Sequence, residues 1–156
     1  MRRALLVAIA CASALLAFSL TNVDEAGFQK LVQAHRGKVI LYDFWATWCD
    51  SCRAELPQLV KLETRLRSRG FELVTISADE PEAVADAEKL LRRFAVAGLA
   101  YRRQAKNDDR FINAIDPEWS GALPAGFLYD RKGRRVRSFI GETDMKVFEV
   151  EISKLL

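Results

Sequence analysis

Two cysteines separated by two residues, Cys49 and Cys52, lie where an apolar run gives way to helical spacing. Residues 39–45 are apolar except for Asp43 and predict a buried strand, and leucines recur at helical intervals from residue 56. Cys49 is therefore expected at the first turn of a helix, where free N–H groups and the helix dipole favour a thiolate. A short helical turn can hold both sulfurs within bonding distance. We interpret the pair as a redox site in which Cys49 is the attacking sulfur.

A zinc site and a structural disulfide are the other uses of this spacing. Tetrahedral zinc needs four N, S or O ligands, and the chain has no second cysteine pair and one histidine, His35. A disulfide that closes so short a loop removes little entropy from the unfolded chain. Redox chemistry is therefore favoured over both, and no metal is expected.

The N-terminus has the pattern of an export signal. Arg2 and Arg3 precede an uncharged stretch, residues 4–18, which is shorter than the ~20 apolar residues of a membrane span. We predict a signal peptide at residues 1–19, with a retained membrane anchor as the alternative, and a single domain at residues 20–156. The expected location is the bacterial periplasm.

Cleavage after Ala14 or Ser19 would remove Cys11 and both N-terminal arginines. The formal net charge would fall from +3 to +1, which gives no reason to expect a nucleic-acid partner. Only the cysteine pair of the motif would remain. In an exported protein, a lone pair at this spacing is more often catalytic than structural.

Helix and strand patterns alternate along the rest of the chain. Helices are predicted at residues 24–34, 49–69, 82–97, 108–115 and 144–156, and strands at 39–45, 71–77, 99–101, 127–129 and 136–140. This alternation predicts a parallel sheet core, to which the last two strands add a hairpin. Thr143 is expected to cap the last helix.

Several residues have two interpretations. Asp43 is either a buried carboxyl with a raised pKa that accepts a proton from Cys52, or a carboxylate at the frayed end of its strand. Trp119, in the long connection at residues 98–123, is either part of the local core or an aromatic facing the substrate. His35 is expected to be solvated at the end of the first helix.

With these parts placed, the chain resembles the thioredoxin superfamily and, within it, the exported TlpA-like disulfide reductases. The residues that carry the resemblance are those at 43–49, Cys52, Pro57, Leu123, Pro124, those at 127–130, Gly133 and Gly141. The resemblance covers nearly all of the chain beyond about residue 20. It implies an α/β, thioredoxin-like three-layer fold with a central mixed sheet flanked by helices.

The resemblance also assigns roles to residues of this chain. Cys49 corresponds to the exposed nucleophile, Cys52 to the buried resolving thiol and Asp43 to the buried acid. The positions expected to bind substrate are Trp48, Leu123 and Pro124. The bond before Pro124 is implied to be cis, with its loop facing the disulfide.

The residues between the cysteines depart from the family pattern. Asp50 and Ser51 replace the proline-containing pairs common in reducing members. The Asp50 carboxylate is expected to raise the thiol pKa of Cys49, whereas Arg53 and the helix dipole lower it. A higher thiol pKa makes the dithiol a better electron donor. These three residues are therefore expected to tune the redox chemistry.

We predict a thiol–disulfide oxidoreductase that reduces disulfides of exported client proteins. It needs no cofactor besides its own redox-active disulfide, and a membrane electron donor and a monomeric state are expected. The alternatives are a thiol oxidase or isomerase of the same fold, or a noncatalytic binding module or metal chaperone. Copper chaperones of this fold usually add a distant histidine, and none follows Cys52.

Overall fold

The centre of the fold is a six-stranded sheet, seen in a computed structural model that describes residues 19–96 and 98–156. Its strands are β1 (Thr21–Val23), β2 (Val39–Trp45), β3 (Phe71–Ser77), β4 (Leu99–Arg103), β5 (Ala125–Tyr129) and β6 (Arg135–Ile140). The spatial order is β1-β4-β3-β2-β5-β6. The first four strands in that order are mutually parallel, and β5 and β6 pair antiparallel. The predicted mixed sheet is confirmed.

Five helices cover both faces of this sheet. They are α1 (Glu25–Ala34), α2 (Asp50–Leu66), α3 (Val84–Arg93), α4 (Asp108–Ile115) and α5 (Met145–Ser153). The buried residues of α1 and α4 join one hydrophobic cluster, and those of α2, α3 and α5 join the other. The chain therefore has the three-layer α/β arrangement implied by the resemblance.

Strand β2 is buried along its whole length and leads directly to the cysteines. Because side chains alternate across a strand, Tyr42 and Phe44 pack under α1 and α4, whereas Leu41 and Trp45 pack under α2. Asp43 lies between Leu41 and Trp45 and so belongs to the face covered by α2. The helix that carries both cysteines thus lies over the one carboxyl of this strand.

Several details differ from the sequence-based expectation, and the bounds of some elements shift by one to four residues. Strand β1 was not predicted, since three residues with one buried side chain give no periodic pattern. Helix α3 ends at Arg93, and Ala95 follows with a left-handed φ of 56°. The cap of α5 is Asp144, whose carboxylate accepts from the Lys146 N–H at 2.7 Å. The Thr143 hydroxyl instead donates to the Gly141 carbonyl, so Thr143 is not the cap.

The predicted signal peptide or anchor falls almost wholly outside the described residues, and the prediction for residues 1–19 therefore remains a prediction. Within residues 19–96 and 98–156, no helix is both long enough and apolar enough to cross a membrane.

Candidate active site

The cysteines of the motif form a disulfide at the start of α2. Cys49 and Cys52 are bonded, with Cα atoms 5.3 Å apart. Cys49 is the N-cap of α2, and its sulfur lies 3.3 Å from the backbone N–H of Cys52, which donates to it. The same unpaired donors of a first helical turn would stabilise negative charge on this sulfur after reduction.

The two sulfurs differ in access to solvent. Cys49 is 7% exposed and Cys52 is 1% exposed. Cys49 is therefore less exposed than the resemblance implies, although it is the more accessible of the pair. A partner sulfur can approach Cys49, whereas α2 and the sheet cover Cys52.

Three further residues of the first turn surround the disulfide. The Ser51 hydroxyl lies 3.6 Å from the Cys49 sulfur. Asp50 and Arg53 form an ion pair on the exposed side of α2. The Asp50 carboxylate is thus partly neutralised by the guanidinium beside it, which weakens the repulsion that it exerts on a Cys49 thiolate.

Trp48 adjoins Cys49 in the chain, and Leu123 packs against the hydrophobic cluster that contains both cysteines. Trp48 is 69% exposed, although it is large and apolar. The Leu123–Pro124 peptide bond is cis, as the resemblance implies. Trp48 and Leu123 line a common cleft, so the structure brings together the segment before Cys49 and the segment before Pro124.

Asp43 lies within the sheet beneath α2. It is 2% exposed, and its Oδ1 atom has no hydrogen-bond partner among the described residues. Burial raises the pKa of Asp43 well above its usual value, and the nearby Glu55 carboxyl raises it further. The structure therefore contradicts the alternative of a carboxylate bonded to amides at a frayed strand end.

Glu55 is a second buried carboxyl that sequence reasoning missed. It follows Cys52 by three residues, one helical turn, and is 8% exposed. Burial raises the pKa of Glu55 to about 7, an effect that Glu142 reinforces and a hydrogen bond from the Thr143 N–H opposes. Its spacing from Cys52 was visible in the sequence, but its burial depends on the distant loop before α5.

Asp79 was also missed, and it holds the loop that precedes the cysteines. Its buried carboxylate accepts from the Thr47 N–H at 3.0 and 3.1 Å, from the Thr47 hydroxyl at 2.7 Å and from the Ser77 hydroxyl at 2.7 Å. The Ala78 N–H donates to the Trp45 carbonyl at 2.8 Å. These bonds join the carboxyl ends of β2 and β3.

The long connection contains β4 and α4 and forms one wall of the cleft that Trp48 and Leu123 line. Trp119 is 5% exposed and donates from Nε1 to the Ala122 carbonyl at 2.9 Å, which confirms its place in the local core. His35, expected to be solvated, is half-buried with its Nδ1 atom 3.2 Å from the Tyr42 hydroxyl, and burial lowers its pKa.

A three-layer α/β fold with a disulfide at a helix N-terminus, next to a cis-proline loop, defines a thioredoxin-like thiol–disulfide oxidoreductase. The chain belongs to the AhpC/TSA family, which its sequence matches over residues 12–137. It is 32% identical to the thiol-disulfide oxidoreductase ResA of Geobacillus kaustophilus (strain HTA426) over 126 residues, 81% of this chain and 67% of the relative. It is 31% identical to ResA of Geobacillus thermodenitrificans (strain NG80-2) over 71% of this chain and 59% of the relative.

The chain thus spans about two thirds of the length of these curated relatives. A solved structure with a similar fold is the thioredoxin-family thiol:disulfide interchange protein from Chlorobium tepidum TLS. It has a TM-score of 0.66 and 22% identity over 79% of this chain and 83% of that one. A putative thiol-disulfide oxidoreductase from Bacteroides vulgatus has a TM-score of 0.58 and 28% identity over 80% and 77%.

Proposed function

We propose that this protein reduces disulfides of exported client proteins, with Cys49 as the attacking and Cys52 as the resolving sulfur. The observation that carries the proposal is the position of the Cys49 sulfur, which caps α2 and accepts the Cys52 N–H at 3.3 Å. A helix N-terminus favours a thiolate, and a thiolate is the species that attacks disulfides.

The reaction begins with the reduced pair. The Cys49 thiolate attacks one sulfur of the client disulfide, forms a mixed disulfide and releases the other client sulfur as a thiolate that takes up a proton. Cys52 then loses its proton and attacks the Cys49 sulfur. The second client thiol leaves, and the client has gained two electrons and two protons while the Cys49–Cys52 pair has become a disulfide.

Asp43 is the proton acceptor for Cys52 in this scheme. It lies on the sheet face beneath α2, in the layer that contains both cysteines, and burial raises its pKa toward that of a thiol. A closer match between the two pKa values favours proton exchange. Trp48 and the loop of Leu123 and Pro124 are the surfaces that contact the client.

Return to the dithiol requires a dithiol electron donor, which we place at the membrane. Ser51 tunes the balance between the two states because its hydroxyl lies 3.6 Å from the Cys49 sulfur. Asp50 and Arg53, which form an ion pair in the same helical turn, tune it through their charges. Export to the periplasm is supported by the basic start and uncharged stretch of residues 1–18. This pattern is compatible with a cleaved signal peptide and with a retained membrane anchor. Sequencing the N-terminus of the protein isolated from cells distinguishes the two.

Single-turnover reaction with a disulfide-linked peptide tests the proposal. The reduced protein is expected to release two peptide thiols for each Cys49–Cys52 disulfide formed, and Cys49→Ser is expected to release none. A Gln58→Ala variant is the matched control, since it changes an exposed side chain of the same helix and keeps both sulfurs. A pair that oxidises peptide dithiols but leaves peptide disulfides intact would identify a thiol oxidase instead.

A further inference from the structure

A cleft of about 300 Å³ opens beside Trp48, the residue that directly precedes Cys49. Its walls are the segment before Cys49, the segment before Pro124, and the helix and loop of the long connection. Trp48 and Leu123 line this cleft together with Ile112 and Ser120. The buried side chains of Phe44 and Trp119 form its floor. Ligand clefts span roughly 300–1,000 Å³, so this one has the size for a single large side chain.

The floor of this cleft is aromatic and held in place. The rings of Phe44 and Trp119 are 5.0 Å apart, and the Trp119 indole is fixed by its bond to the Ala122 carbonyl. Gly121 has a φ of +86°, and a Cβ there would lie 2.9 Å from Ile112 Cδ1. Glycine therefore allows the loop to close against α4, and the floor exists before any ligand arrives.

The charged groups at the rim of the cleft pair with one another. The Arg103 guanidinium forms ion pairs with the carboxylates of Asp108 and, at 4.0 Å, Glu80. One guanidinium between two carboxylates leaves the rim with a net negative charge, which disfavours an acidic side chain. The buried Nε–H of Arg103 has no hydrogen-bond partner among the described residues. The apolar floor favours an uncharged group.

We propose that this cleft, the Trp48–Trp119 cleft, binds one large apolar side chain of the client within about two residues of its reacting cysteine. The inference rests on the proposed function and names the feature by which that site selects clients. Trp48 and Leu123 line the cleft, and each is the chain neighbour of a residue of the exchange site, Cys49 and Pro124 respectively. An extended client advances ~3.3 Å per residue, which carries a neighbouring side chain from the disulfide to the cleft.

The test uses the full chain with Cys11→Ser, so that the motif supplies the only thiols. Disulfide-linked peptides differ only in the residue next to the reacting cysteine, which is Gly, Glu, Leu or Phe. Burial of such a side chain predicts a rate constant roughly 10- to 100-fold higher for Leu and Phe than for Gly and Glu.

Two variants test whether the cleft causes the preference for peptides with Leu or Phe. Ser120→Phe places a ring in the cleft and is expected to bring the four rate constants within about threefold of one another. Ala122→Phe is the matched control, because Ala122 is exposed on the same loop and does not line the cleft. Ile112→Ala, which enlarges the cleft, is expected to move the preference from Leu toward Phe.

The outcomes separate this inference from the proposed function. Equal rates for all four peptides in the Cys11→Ser protein would overturn the cleft assignment and leave disulfide exchange intact. Selectivity that survives unchanged in Ser120→Phe would also overturn it. Failure to react with any peptide would instead overturn the proposed function.

Discussion

The carboxylate of Asp79 binds both the backbone N–H and the hydroxyl of Thr47, at 3.0 and 2.7 Å, across a gap of 32 residues in the chain. Thr47 lies two residues before Cys49, and Asp79 follows β3. The loop that carries Trp48 toward solvent is therefore fixed to the end of the neighbouring strand. These hydrogen bonds therefore fix the position of the turn that carries Trp48 and Cys49.

Asp79→Asn tests this connection. The amide of asparagine has one acceptor oxygen in place of two and turns an NH₂ group toward existing donors, so we expect a loss of roughly 2–4 kcal/mol in the free energy of unfolding. Thr47→Val removes only the hydroxyl bond and is expected to cost roughly 0.5–1.5 kcal/mol. Denaturant titration followed by tryptophan fluorescence measures both. A change below about 0.5 kcal/mol for Asp79→Asn would show that the loop does not depend on this carboxylate.

Cys52→Ser isolates the first half of the reaction. Without the resolving sulfur, the Cys49–client mixed disulfide cannot be cleaved from within the protein, and it is expected to accumulate. A non-reducing gel with a disulfide-bonded client protein detects the covalent product, and reductant removes it. Cys49→Ser is the control and is expected to give no covalent product. If the mixed disulfide accumulated in that variant instead, Cys52 would be the attacking sulfur and Cys49 the resolving one.

Glu55→Gln is expected to change how stability depends on pH. The folded pKa of Glu55 is raised to about 7 from 4.5, so the folded state holds a proton that the unfolded state loses as the pH rises from about 4.5 to 7. The contribution of Glu55 to stability is complete below pH 4.5 and is lost as the pH rises through 7. The variant should therefore gain stability relative to the native chain across this window, by an amount on the order of 1 kcal/mol.

Unfolding titrations of both proteins at pH 4, 5, 6, 7 and 8 measure this difference. Each comparison at one pH cancels the other titrating groups, including His35. A difference that is constant with pH would contradict the raised pKa. Glu142→Gln, which keeps Glu55 and removes a neighbouring carboxylate, is expected to give a smaller change of the same sign.

Trp119 and Trp48 line the same cleft, but replacement by phenylalanine is expected to affect different properties. The Trp119 variant should lose more stability, and the Trp48 variant should lose more disulfide-exchange activity. Trp119→Phe loses the bond to the Ala122 carbonyl and buried volume, which predicts roughly 1–3 kcal/mol of destabilisation. Trp48→Phe changes an exposed side chain and is expected to alter stability by less than about 0.5 kcal/mol. Disulfide exchange should show the reverse order. Equal effects of the two variants on unfolding would contradict the assignment of Trp119 to the core.

Local patterns were sufficient to predict the elements nearest the site. Strands β2 and β3 are mostly apolar runs. Helix α2 ends at Leu66, and Gly70, with a φ of 95°, ends the 3₁₀ turn Arg67–Arg69 that follows it. The bounds of β2 and β3, and those of α4, agree with the sequence-based prediction. The cysteines were recognisable from their residue type and short spacing, whereas Pro124 was recognised through the resemblance to the thioredoxin superfamily.

Long-range contacts account for what the sequence did not reveal. Glu55 and Asp79 look like ordinary charged residues, and their importance comes from Thr143 and Thr47, which are distant in the chain. Strand β1 is defined only by its pairing with β4. His35 appeared solvated because its helix end gives no hint of the Tyr42 hydroxyl on the neighbouring strand.

A count of free thiols at defined redox potential tests whether Cys49 and Cys52 form the redox pair of a reductase. The Cys11→Ser protein is equilibrated in buffers of reduced and oxidised dithiothreitol, and its free thiols are then trapped by alkylation. We expect one two-electron transition in which Cys49 and Cys52 gain alkylation together, at a strongly reducing midpoint. An oxidising midpoint would contradict the reductase and favour a disulfide donor, and the absence of any transition would contradict redox function at this site.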